Sequence, residues 1–277
     1  MKTEINQLFN NIHSLPQVPD VVSELITQLG NPNINMSEIA KNVELEPSIS
    51  LKILRLVNSA HFSLSRKVGS ITEALSFLGM DQLKTLIIGS GFTSAVPAIE
   101  GFDIEAFWNK TFLKAMYAKA LADTLKHDGT VAFTAAIISN IGTVLIQLGD
   151  SKAALEIDQH VKAHPDVTDQ HRYTYEKRRL GYISTEVAAE LSTRWKFSEE
   201  LVSAIADSAE PLTIESPSKL ACIVHIAEYI SSHKKNSTAE EIIEHLPLEL
   251  ADKLNITKAV LIEETASLLE LESPAFA

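Results

Sequence analysis

A single cysteine, Cys222, occurs in 277 residues, so no disulfide can form within the chain. Its neighbours, Leu-Ala-Cys-Ile-Val-His-Ile-Ala, make it a small core residue, and the lack of a disulfide framework fits a reducing cytoplasm. Positive charge is also scarce: 24 Lys and Arg against 36 Asp and Glu give a formal net charge of −12. That balance argues against broad electrostatic affinity for nucleic acid or anionic membrane. The N-terminal stretch MKTEINQLFNNIHSLP has no apolar core of signal-peptide length, and no run approaches the roughly 18 apolar residues of a membrane span. The expectation is a soluble cytoplasmic protein. No segment sustains period-2 alternation with β-branched and aromatic enrichment, so no sheet is expected. Gly-rich phosphate cradles, nucleophile elbows and Cys-x-x-Cys pairs are missing too. What remains is 45% hydrophobic and 22% charged, an ordinary globular composition, long enough for one large domain or two lobes of about 100–150 residues.

What is present reads as helix almost throughout. Val21, Val22, Leu25, Ile26 and Leu29 recur at helical spacing and stop at Gly30, with Pro32 just beyond. Asn35 and Glu38 form a capping box, Pro47 suits the first turn of the next helix, and Ser70 with Glu73 caps a helix closed by Gly79. Asp81 starts another. Residues 97–103 are the candidate boundary between two helical lobes. Further helices are expected at 131–148, 153–163, 173–180, 185–195, 198–206 and 219–232, with polar connections at 160–171 and 233–238 and a frayed tail at 273–277.

The apolar helix 131–148 contains Ser139-Asn140-Ile141-Gly142. That ending resembles the centre of the HD-domain metal-dependent phosphohydrolases, where a His-Asp pair that holds the metal precedes Ile-Gly. A hydroxyl and an amide are poor substitutes for an imidazole and a carboxylate on a divalent cation. Three further segments are more specific: Leu15-Pro16-x-Val18-Pro19, Leu51 to Ala60 (LKILRLVNSA) and Ile71 to Gly79 (ITEALSFLG). Together they closely resemble the HDOD family, the HD-related output domain of bacterial signalling proteins, over roughly residues 10–235.

The resemblance implies an all-α, two-lobed helical bundle, with an N-terminal HDOD lobe at 1–100 packed on a degenerate HD-like lobe at 101–277. It also implies a non-catalytic regulatory protein in signal transduction that binds a protein partner or a small ligand, with no cofactor; the acidic charge and the lack of a span add the expectation of no membrane and disfavour nucleic acid. Carried over one by one, the HD ligand positions fall on Lys110 or Thr111 after Trp108, on Ser139 and Asn140, on Ser184, on Ser208 with Ala209, and on Glu228. Only Glu228 keeps a charge able to bind metal. Losing one outer partner of a ligand typically costs about 10–100-fold in affinity, so losing nearly every ligand should abolish the site.

His127-Asp128 is a literal HD dipeptide, but it lies in a loop before Gly129; alanine at either position is expected to change stability by less than about 0.5 kcal/mol. His225 reads as a satisfied core histidine, and His160, His164 and His171 as loop residues. Asn140 is expected to be buried and bonded to the hydroxyls of Ser139, Ser184 or Ser208 or to nearby backbone. Asn58 and Ser59, at the end of an apolar helix, would cap it and fix the following loop, or with Arg66 join the lobes or present a partner surface. Two other functional classes stay in view. One is a phosphohydrolase using unconventional ligands around Glu228, His225 and His127. The other is a helix-turn-helix regulator over 37–57 with Ser48, Ser50, Lys52 and Arg55 facing outward, though Glu44 and Glu46 would meet phosphate with the wrong sign.

Overall fold

The computed structural model describes residues 2–13, 15–29, 31, 33–59, 66–163, 169–233 and 237–271. Among them there is no strand and there are fifteen helices: α1 (Lys2–Asn11), α2 (Asp20–Thr27), α3 (Met36–Glu44), α4 (Pro47–Val57), α5 (Ile71–Ala95), α6 (Ile104–Thr124), α7 (Gly129–Gly149), α8 (Ser151–Ala163), α9 (Asp169–Leu180), α10 (Ser184–Arg194), α11 (Glu199–Asp207), α12 (Lys219–His233), α13 (Ala239–Glu244), α14 (Leu248–Leu254) and α15 (Lys258–Leu269). The all-α expectation holds. Gly30 and Pro32, the centre of the 160–171 connection, residues 234–236 and the tail at 273–277 lie outside the described residues.

The helix boundaries follow local chemistry. The Asn35 side chain accepts from Glu38 N at the start of α3, and Ser70 does the same for Glu73 N at α5, each satisfying a donor the helix itself leaves free. Pro47 opens α4. At Gly79 the backbone turns to φ 78°, ψ 177°, which breaks α5 into the two helices expected on either side. The polar loop expected over 160–171 is a correction: α8 runs through His160, which stacks on Tyr175 at 3.9 Å between ring centroids, and α9 already contains His171.

Two compact units divide the chain, residues 16–112 on one side and 1–15 with 113–272 on the other. This differs from a break at 97–103: the division runs inside α6, and the N-terminal helix joins the later unit. The reason is packing on α7. A Cβ at Gly149 would lie 2.5 Å from Leu8 Cδ1, Asn11 Nδ2 donates to Gly149 O at 3.3 Å, and Arg194 covers the Phe9 ring at 4.0 Å.

In the 16–112 unit, α2, α3 and α4 pack on α5, whose Leu83, Leu86, Ile87, Ile88 and Phe92 are buried. In the other unit α7 is the central helix, in contact with α1, α8, α10, α11 and α12. At 21 residues α7 is, by length and composition alone, apolar enough to cross a membrane, contrary to the sequence reading; 78% of that stretch is buried inside the protein, as for a core helix.

Asp128, set aside above as a surface residue, is the N-cap of α7: its Oδ1 accepts from Thr130 N at 2.8 Å and Val131 N at 3.1 Å. The expectation of a negligible effect is therefore corrected. Asp128→Ala should cost about 1 kcal/mol, the usual loss for such a cap, and Asp128→Ser much less. His127→Ala should stay within about 0.5 kcal/mol. Denaturant midpoints of the three variants check this ordering.

Candidate functional site

Helix α7 carries Ser139 and Asn140 at its midpoint, and the residue two further on decides how closely another helix approaches. A Cβ on Gly142 would stand 1.8 Å from Ser184 O and 2.6 Å from Ser184 C. Glycine is thus required where α10 begins against α7. The start of α10 is held by Glu176 of α9, whose Oε2 accepts from Ser184 N at 2.7 Å, a carboxylate placed at a helix N-terminus where the dipole favours it. Glu176 is fully buried; Arg172 Nε lies 2.9 Å from its Oε1, and Arg172 also reaches Asp158 Oδ1 at 3.1 Å. Gln147 Nε2 donates to the other oxygen of Asp158 at 2.7 Å. Burial pushes the Glu176 carboxyl above its ordinary range, against the pull of Arg172 and the Ser184 amide.

Beside this clamp lies a second polar cluster, centred on a residue the sequence reading passed over. Lys114 of α6 is 1% exposed. Its Nζ donates to Ser139 Oγ at 2.8 Å, to Asn140 Oδ1 at 3.0 Å and to Glu228 Oε2 at 2.9 Å. An ammonium has three N–H donors, and all three are matched. Tyr173 OH lies 2.8 Å from Glu228 Oε1 and 2.9 Å from Oε2. Ser139 Oγ in turn donates to Ala136 O at 2.9 Å, leaving its lone pairs for the lysine. One positive and one negative charge are thus enclosed together with their hydrogen bonds completed, which is the condition for tolerating buried charge.

The positions that the resemblance assigns to the HD ligands divide accordingly. Ser139, Asn140 and Glu228 are brought together. Asn140 is only partly buried, and its Oδ1 takes the Lys114 ammonium, a partner not foreseen for it. Ser184 is buried and serves Glu176 through its backbone. Ser208 Oγ donates to Ile205 O at 2.9 Å, and Ser208 O lies 2.8 Å from His225 Nδ1. Lys110 is exposed and Thr111 buried on the segment of α6 that belongs to the 16–112 unit; the α6 residue in the cluster is Lys114, one turn beyond the position assigned to the first ligand.

A divalent metal does not fit this cluster, because the oxygens it would need are engaged by an ammonium. Nor do the described residues contain any group of three or more His, Cys, Asp or Glu able to hold one.

His225 is part-buried rather than fully in the core, and its Nδ1 is satisfied by Ser208 O. Burial pushes its imidazole below the ordinary 6.5, opposed by the Ser208 carbonyl and by Glu228. A depressed imidazole contributes stability that is present above the unfolded value near 6.5 and is lost as pH falls through the lower folded value. Unfolding midpoints should therefore drop on going from pH 7.5 to 5.5, and His225→Gln should flatten that slope. An unchanged slope in the variant would contradict this assignment.

In the 16–112 unit, Asn58 ties the end of α4 to Val68. Its Nδ2 donates to Leu54 O and to Val68 O, each at 2.8 Å, and its Oδ1 accepts from Val68 N at 2.7 Å. This is the capping role at the end of α4; residues 60–65, which the loop-fixing expectation concerns, lie outside the described residues. Ser59 N donates to Leu56 O. Arg66 pairs with Glu73 and lies 4.9 Å over the Phe77 ring. Lys52, placed outward in the DNA-binding reading, instead donates to Thr93 Oγ1 at 3.1 Å and is half-buried, a correction that removes one side chain from that face.

Comparison with known proteins adds the family context. The HDOD domain model matches residues 15–211. A Shewanella amazonensis protein of known crystal structure, named a candidate phosphohydrolase, is 33% identical over 94% of this chain and 93% of its own, with a TM-score of 0.75. An HDOD domain protein of Geobacter sulfurreducens shares the fold at 18% identity, TM-score 0.78, covering 97% and 98% of the two chains. A Treponema pallidum protein is 23% identical over 207 residues, 71% of this chain, a stretch that spans 38% of that longer protein.

Proposed function

The chain belongs to the HDOD domain family, and from that premise we propose that it is a regulatory protein that binds a partner protein and performs no hydrolysis of its own. One observation carries the reading: the positions where an HD enzyme would hold its metal are Ser139 and Asn140, and both are bonded to the Lys114 ammonium. Oxygens held by an ammonium are not open to a metal that would activate water there. The reading locates the protein in the cytoplasm, within a signalling pathway. Arg66, exposed beside the exposed Phe77 ring, supplies an arginine–aromatic pair of the kind that anchors interfaces.

The rival is hydrolysis, favoured by the name given to the 33% identical Shewanella amazonensis protein. The two separate in one assay. Purified protein is incubated with nucleotides, cyclic dinucleotides and a generic phosphodiester, with manganese, iron, nickel or cobalt added. No turnover is expected. Turnover that survives repurification and vanishes in Glu228→Gln would overturn the reading. Crosslinking capture from the native cell, with Arg66→Glu as the comparison, tests the binding half: a protein lost selectively in the variant supports it, and equal capture removes Arg66 from the surface.

A further inference from the structure

We propose that Lys114 is a tethered cation that closes a cation-binding site from within. The oxygens around its Nζ are those of a cation site: the Glu228 carboxylate, the Asn140 amide oxygen and the Ser139 hydroxyl, with the Tyr173 hydroxyl fixing the carboxylate from behind. They come from α7, α9 and α12, and the cation comes from α6.

Spacing and charge select the class of cation. The three oxygens stand 2.8, 3.0 and 2.9 Å from the centre of positive charge, which are N–H···O lengths. A first-row metal or magnesium needs oxygens at about 2.0–2.2 Å, so each oxygen would have to close by most of an ångström within a packed core. The cluster carries one carboxylate. A monocation neutralises it, whereas a divalent ion would leave one uncompensated positive charge among buried groups. An all-oxygen set without imidazole or thiolate is also the wrong chemistry for zinc, copper and nickel. The site is therefore built for a monocation of ammonium size, and the chain supplies its own ammonium.

Shortening the side chain should reopen the site. In Lys114→Ala the missing atoms are three methylenes and the ammonium, close to n-propylammonium in size. The melting temperature of Lys114→Ala is measured against added ethylammonium and n-propylammonium. Sodium chloride is the ionic-strength control and n-propanol the neutral match. The proposal expects a saturable rise with the amines, a smaller one with the alcohol, and no rise with magnesium or manganese. Equal rescue by propanol would mean only that a cavity was filled, and would overturn it, as would a flat amine response or stabilisation of the wild type by divalent metal.

If Lys114→Ala does not fold, Lys114→Met keeps the bulk and removes the charge. Adding Glu228→Gln should then raise the unfolding midpoint of Lys114→Met, because it removes the stranded carboxylate. An unchanged or lower midpoint would contradict charge balance as the role of Lys114. These readouts use the isolated protein, so their failure leaves the partner-binding reading standing, and failure of partner capture leaves them standing.

Discussion

Gly142→Ala is expected to destabilise the protein by more than about 3 kcal/mol, at or beyond the upper end of the usual cost of overpacking. The added Cβ would meet Ser184 O at 1.8 Å, Ser184 C at 2.6 Å and Ala188 N at 3.1 Å. All three are backbone atoms of the opposing helix, so no side-chain rotation relieves the overlap. Helix α10 would have to withdraw from α7, where Ile141, Val144, Val187, Ala188 and Leu191 are fully buried, and the Glu176 bond to Ser184 N would stretch with it. Gly149→Ala offers a contrast within the same helix, since its nearest obstacle is the movable Leu8 Cδ1 at 2.5 Å, although Leu8 O follows at 2.9 Å. Its loss should be smaller. Urea unfolding of both variants measures the difference, and a Gly142→Ala protein within about 1 kcal/mol of wild type would mean that the crossing yields more readily than its geometry indicates.

The second large effect concerns the enclosed ion pair. Glu228→Ala removes the carboxylate and leaves the Lys114 ammonium, 1% exposed, with only the neutral oxygens of Ser139 and Asn140 among the bonds described above. Breaking a buried pair in this way costs about 3–5 kcal/mol, because the remaining charge is uncompensated. Tyr173 OH also loses both oxygens it faces. The double variant Lys114→Met/Glu228→Leu removes both charges and should lose less than either single change, giving a large coupling in a double-mutant cycle. Additive losses would show that the two groups do not stabilise each other.

Much of the fold was legible from local signals. The N-caps Asn35 and Ser70, Pro47 at a helix start and the break at Gly79 stand where sequence placed them, because each acts within one turn of chain; the reciprocal bond of the expected capping boxes is replaced, Glu38 meeting the Asn35 side chain and Glu73 the Gly69 amide. The candidate site was legible in part. Ser139, Asn140 and Glu228 were named from the resemblance, and they do meet. Lys114 was not named, because a lysine in a helix is ordinarily solvated and its partner Glu228 lies 114 residues away. A signal was present: Lys114 falls in helical phase with Thr111, Ala118 and Leu121, all fully buried, as a lone charge on a stripe facing the interior. The start of α9 was missed for a related reason. Its side toward the core is polar, built from Arg172, Tyr173 and Glu176, so no apolar periodicity marks it. The role of Asp128 was not legible because the dipeptide also reads as the exposed end of the preceding helix, whereas Asp128 caps the next one.

The central claim is that the HD cation position is taken by the Lys114 ammonium. Metal content of the wild-type protein, measured by mass spectrometry after incubation with manganese and removal of free ions, tests it most directly. The account predicts no stoichiometric metal. One ion per chain, lost on Asn140→Leu substitution while the protein remains folded, would contradict it.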